Sequence, residues 1–148
     1  MLALMSLAAT GACAAGTSSA AASAHAARTF SLNESGDLHL MSKHGFTLDE
    51  HGSASGTVSG TIYVQLTIAS TNRVTAKVTI YPSGGSISGH ATADYRRGTT
   101  SASFSGTMSV TGGSGRYANA HGSGLGFSGT IQRSNDAITV HVSGSASD

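Results

Sequence analysis

The chain has 148 residues, a formal net charge of +1 and only 10% charged residues, with no basic cluster larger than Arg96-Arg97. That length suits one domain, and such sparse basic charge argues against nucleic acid as a partner, because affinity for it comes from neutralising many phosphates. No run reaches the roughly 18 consecutive apolar residues of a spanning helix, so no transmembrane span is expected.

In chain order, residues 1–26 carry no Asp, Glu, Lys or Arg and are dominated by Ala, Leu, Met and small polar residues. They read as a signal peptide, with Ala24-His25-Ala26 satisfying the small-x-small cleavage rule, and the expected destination is secretion. The sole cysteine, Cys13, falls in this leader. Gly11-Ala12-Cys13 offers an alternative reading, in which lipid on Cys13 anchors the protein at the cell envelope.

Residues 27–52 form an N-terminal segment with one or two strands, signalled by the apolar pairs Leu38-Leu40 and Phe46-Leu48. From residue 53 to 148 apolar and polar residues alternate. The apolar row runs Val58, Gly60, Ile62, Val64, Leu66, Ile68, then Val74, Ala76, Val78, Ile80, then Ile87, Gly89, Ala91, Ala93, Tyr95. It continues at Ala102, Phe104, Gly106, Met108, Val110, at Leu125, Phe127, Gly129, Ile131, and at Ile138, Val140, Val142, Gly144. A period of two means strands with one apolar and one Ser/Thr face. The joints Ser70-Thr71-Asn72, Tyr81 to Gly85, Arg97-Gly98 and Ser134-Asn135-Asp136 are turn-like and short, which implies antiparallel neighbours.

These elements predict an all-β domain that closes into an antiparallel barrel of about eight strands, with a β-sandwich as the alternative. Closure removes the exposed edges of so many short strands, and glycines in the apolar row permit sharp coiling. An outer-membrane barrel would need aromatic girdles, whereas this chain has four Tyr, four Phe and no Trp. A β-solenoid would repeat at a fixed period, whereas the runs start near residues 57, 73, 86, 101, 124 and 137.

The one long connection, Thr111 to Gly122, lacks the Gly-Lys-Ser/Thr ending of a phosphate-binding loop. Phe104-Ser105-Gly106, then Gly112-Gly113-Ser114-Gly115-Arg116-Tyr117-Ala118-Asn119-Ala120-His121-Gly122, then Phe127-Ser128-Gly129-Thr130, resembles the allene oxide cyclase and dirigent barrel group, with small secreted bacterial proteins of this pattern nearest. The resemblance covers about residues 53 to 145. It implies an eight-stranded barrel, often a homo-oligomer, whose apolar cavity in the plant members guides cyclisation or radical coupling of a hydrophobic substrate. No segment matches the surroundings of the plant enzymes' catalytic residues, so none is carried over.

The carboxylates Glu34, Asp37, Asp49, Glu50, Asp94, Asp136 and Asp148 fall mostly in predicted strand ends or turns, with Asp94 on a polar row. The histidines His39, His44, His51, His90, His121 and His141 form no metal-ligand spacing, so neither a metal nor a cofactor is expected. The best candidate site is the apolar interior, lined by Tyr95, Phe104, Met108 and Phe127, with Arg116 or Tyr117 as polar anchors at the mouth. A core filled by its own side chains is the competing reading. The sequence leans towards a secreted non-enzymatic barrel that binds a small hydrophobic ligand or serves the cell envelope. The alternatives are a cyclase or isomerase acting on a lipid-derived or phenolic substrate, and a surface adhesion protein.

Overall fold

A computed structural model describes residues 27–148, so the expected signal peptide and Cys13 lie outside the described residues. The described chain is all-β: β1 (Thr29–His44), β2 (Thr47–Gly56), β3 (Gly60–Ser70), β4 (Arg73–Pro82), β5 (Gly85–Arg97), β6 (Ser101–Gly115), β7 (Gly122–Gln132) and β8 (Ile138–Ser147). Each strand pairs antiparallel with its sequence neighbours, and β8 returns to β1, giving the closed barrel that the alternation predicts. Among the described residues no helix is long and apolar enough to cross a membrane.

The apolar rows face inward. Ile62, Val64 and Leu66 on β3, Val74, Val78 and Ile80 on β4, and Ile138, Val140 and Val142 on β8 are all buried. The intervening Ser and Thr residues are exposed or half-buried, as one face of a closed sheet requires. Two inward glycines explain how large rings fit between. A Cβ on Gly129 would fall 2.5 Å from Cζ of Phe104, and one on Gly89 would fall 2.5 Å from Cε of Met108. Each glycine thus leaves a recess that a neighbour's side chain occupies.

The N-terminal segment supplies β1 and the first part of β2, so the boundary expected at 52/53 lies inside β2. The pair Phe46-Leu48 does not share a strand face: Phe46 sits with Gly45 in the two-residue turn between β1 and β2, where Gly45 takes a left-handed φ of 61°. Leu48 turns inward while Phe46 is 70% exposed. Beside this turn β1 bulges between Leu40 and Ser42, which leaves Met41 on the outside, 64% exposed. Pairing of β1 with β8 stops at Leu38 and Ile138, so the β1–β2 hairpin projects past the start of β8.

The barrel has two unlike ends. One, the hairpin end, carries the β1–β2, β3–β4, β5–β6 and β7–β8 connections. The other, the terminal end, carries the remaining connections and the chain termini, tied together where the Arg28 N–H donates to the Asp148 carbonyl and the Asp148 N–H to the Arg28 carbonyl, each at 3.0 Å.

Candidate functional site

The structure keeps four of the six residues expected to line a cavity in one packed cluster, with Tyr95 opposite Phe104 in the β5–β6 register, and places Arg116 and Tyr117 apart from them. Phe104 and Phe127 stack with ring centroids 5.2 Å apart, and with Met108 they form the middle of the packed interior. Tyr95, two residues before the end of β5, faces the hairpin end. Arg116 and Tyr117 lie at the terminal end, in a turn closed by N–H donation from Tyr117 to the Ser114 carbonyl and from Ala120 to the Tyr117 carbonyl. There Tyr117 packs against Phe30, centroids 6.0 Å apart, and the Arg116 guanidinium lies 5.2 Å over the Tyr117 ring. A shallow hollow beside them is lined by residues that include Arg28, Arg116, Ala118, Asn119, His121 and Asp148.

A different hollow, of about 350 Å³, opens at the hairpin end. Its inner walls are Leu48, Ile68, Tyr95, Ala102 and Ile131, and its rim carries Lys43, Phe46, Arg97, Arg133 and Asp136. The walls are the last inward residues of their strands, so the period-two rule places them together at the mouth. The rim is positioned by turns. Asp136 adopts a left-handed φ of 54°, a conformation that Asp tolerates in tight turns, and its carboxylate accepts a 2.7 Å bond from Lys43 Nζ. Arg133 is fixed by donation from Nη1 to the Gly98 carbonyl at 2.8 Å. Arg97 and Arg133 have no carboxylate partner among the described residues, so the rim keeps a positive excess.

One inward step deeper on β2 from Leu48 is Glu50, 1% exposed and paired in register with Leu40 on one side and Val64 on the other. Neither of its carboxyl oxygens has a hydrogen-bond partner among the described residues. Burial in apolar surroundings raises its pKa to about 7, and the negative Asp136 adds to the rise. A neutral carboxylic acid and a carboxylate are therefore both accessible near neutral pH, the condition general acid-base chemistry uses. Asp49, the next residue on the outer face, moves the opposite way: hydrogen bonds from Ser42 and Gln65 hold its pKa below the usual value, and His44 adds to this.

Glu34 is the second inward carboxyl, on β1 towards the terminal end. Its Oε1 accepts from the Val58 N–H at 2.6 Å and from Thr57 Oγ1 at 2.8 Å, clasping the β2–β3 connection over the barrel. Both glutamates lie within strands and face inward, unlike the placement in ends or turns expected from sequence. The signal was parity: Glu34 shares the row of Leu32 and Leu38, and Glu50 that of Leu48 and Ala54.

Histidines 39 and 51 sit opposite each other on the outer wall of β1 and β2, and His51 continues into an aromatic trio with Tyr63 and Tyr81. Among the described residues no three His, Cys, Asp or Glu side chains converge as a metal site would require. Comparison with known proteins places no name on this arrangement: no family model, curated protein or solved structure matches the chain.

Proposed function

We propose that this protein is a secreted barrel that takes a small, mainly apolar molecule into the hollow at its hairpin end. The observation that carries the reading is the hollow itself, with apolar inner walls of Leu48, Ile68, Tyr95, Ala102 and Ile131 beneath a rim of fixed charge. Binding sites of this kind combine apolar contact with a few polar groups that orient the ligand. The likeness of residues 53 to 145 to the allene oxide cyclase and dirigent group supports the same reading, since those barrels handle hydrophobic molecules. An environment-sensitive apolar fluorophore titrated against the protein should bind saturably at one site per chain. Ile68→Trp, which fills the hollow from its half-buried edge, should weaken that binding about tenfold or more. Unchanged affinity in this variant would place the ligand elsewhere and sink the proposal.

A second reading, an isomerase or cyclase on a lipid-derived or phenolic substrate, is favoured by Glu50 alone. A buried carboxyl poised near neutrality can remove a proton from one carbon as carboxylate and return it to another as acid, leaving the substrate isomerised and the enzyme unchanged. Candidate substrates incubated in deuterated buffer should give an isomer carrying solvent deuterium. Glu50→Gln should abolish both product and label, and turnover at the wild-type rate in that variant would eliminate this reading.

A further inference from the structure

The hairpin end is also amphipathic on its outside, and this property does not depend on whether the hollow has a ligand. Phe46 at the tip of the β1–β2 turn and Met41 at the β1 bulge are 70% and 64% exposed, and both belong to the hairpin that projects past β8. Their exposure is not the residue of poor packing, because the Phe46 backbone is held firmly: its carbonyl accepts from the Ile68 N–H at 2.9 Å.

Charge is distributed towards the same end. Lys43, Arg73, Arg96, Arg97 and Arg133 lie there, five of the chain's eight Lys and Arg residues, leaving Lys77 on the wall and Arg28 and Arg116 at the terminal end. The acidic groups nearby offset this only in part. Asp136 is engaged by Lys43, Asp94 stands opposite Arg73 in the β4–β5 register, Asp49 is hydrogen-bonded to Ser42 and Gln65, and Glu50 is inside the barrel. Arg96, Arg97 and Arg133 form no ion pair among the described residues.

We infer that the hairpin end docks on an anionic lipid surface, with Phe46 and Met41 inserted at the headgroup level and the arginines facing lipid phosphates. Two exposed apolar side chains on a projecting hairpin, at the end that carries the unpaired Arg96, Arg97 and Arg133, supply the two signals that peripheral membrane binding combines: apolar burial and attraction to negative headgroups. Charge complementarity selects the partner. A second copy of the same end would bring the unpaired Arg96, Arg97 and Arg133 against their own counterparts, and like charges brought together oppose association. In this orientation the hollow faces the bilayer.

The test is co-sedimentation of the protein with vesicles of phosphatidylglycerol and phosphatidylcholine in equal parts, against vesicles of phosphatidylcholine alone. Binding should occur on the first, be largely lost at high salt, and be weak on the second. Phe46→Ser should lower partitioning about tenfold and Arg97→Gln about fivefold. Lys77→Gln and Arg28→Gln, away from this end, should change it little. Met41→Ser is the separating variant: it lies outside the hollow, so vesicle binding should fall while fluorophore binding stays at the wild-type level. Equal binding to both vesicle types, no binding to either, or a Phe46→Ser protein that partitions like wild type would overturn the inference. So would a Phe46-dependent dimer by light scattering with no vesicle binding, because a second copy would then cover the patch.

Discussion

Glu34 and Glu50 face the interior of the same barrel from adjacent strands, 2% and 1% exposed, yet their surroundings assign them opposite work. Glu34 sits beside the β2–β3 connection, where the Val58 N–H is outside any strand ladder and is free to donate. Glu50 sits in mid-strand, where the backbone on both sides is committed to the ladders with β1 and β3 and the inward neighbours Leu48 and Val64 are apolar. A buried polar group is costly unless hydrogen-bonded. The first carboxyl therefore works as a structural clasp, and the second is held against its cost one inward step below Leu48, beneath the wall of the hollow.

That contrast can be tested at either glutamate. The largest effect is expected at the clasp: Glu34→Ala orphans the buried Val58 N–H and releases the Thr57 hydroxyl, and urea unfolding should register a loss of about 3 kcal/mol. A loss below about 1 kcal/mol would mean that water replaces the clasp and that the two glutamates are alike.

The second test is pH. Because the pKa of Glu50 is about 7 folded against an ordinary 4.5, the folded state binds the extra proton between these values. Its contribution is fully present below the unfolded pKa and is lost as pH rises through 7. Stability should thus fall between pH 5 and pH 8 by roughly 2 kcal/mol more in wild type than in Glu50→Gln, which cannot titrate. Parallel stability curves for the two proteins would show that Glu50 finds a compensating partner in solution.

The smallest effect belongs to Asp136. Asparagine also tolerates its left-handed backbone, so Asp136→Asn should preserve the turn, remove the negative charge that adds to the rise at Glu50, and lower the Glu50 pKa by less than about one unit. Loss of the partly exposed Lys43 pair should cost under about 1 kcal/mol. Carbon-detected NMR titration of the Glu50 carboxyl reads the shift directly, and an upward movement would contradict the assigned cause.

The strands from β3 onward were legible in sequence because their inward rows are almost wholly Val, Ile, Leu, Phe, Ala and Gly. The first two were less so for the same reason that makes them interesting. Glu34 and Gly36 interrupt the row of Leu32 and Leu38, and Glu50 and Gly52 interrupt that of Leu48 and Ala54, so the period-two signal fades where the carboxyls enter. The hollow was hidden for another reason. Its walls come from β2, β3, β5, β6 and β7, brought to one mouth only by the register around the barrel, which alternation within a strand does not report. Tyr95 lines that mouth, and its register partner Phe104, with Met108 and Phe127, packs beneath it, Met108 entering the recess at Gly89 and Phe104 that at Gly129.

Closure of β8 onto β1 has a consequence for how the chain folds. Every other neighbouring pair is joined by a short connection, the expected long one after Thr111 included because β6 continues to Gly115, whereas the seam brings together residues such as Ser35 and His141, which are 106 positions apart. Loop-closure entropy makes such a contact slow relative to the hairpins, so the seam is the expected rate-setting step. Until it forms, a nearly complete curved sheet presents β1 and β8 as bare edges that can recruit the same edges of another chain. The window for misassembly is therefore late in folding, and conditions that hasten the meeting of the two terminal strands should raise the yield of monomeric barrel.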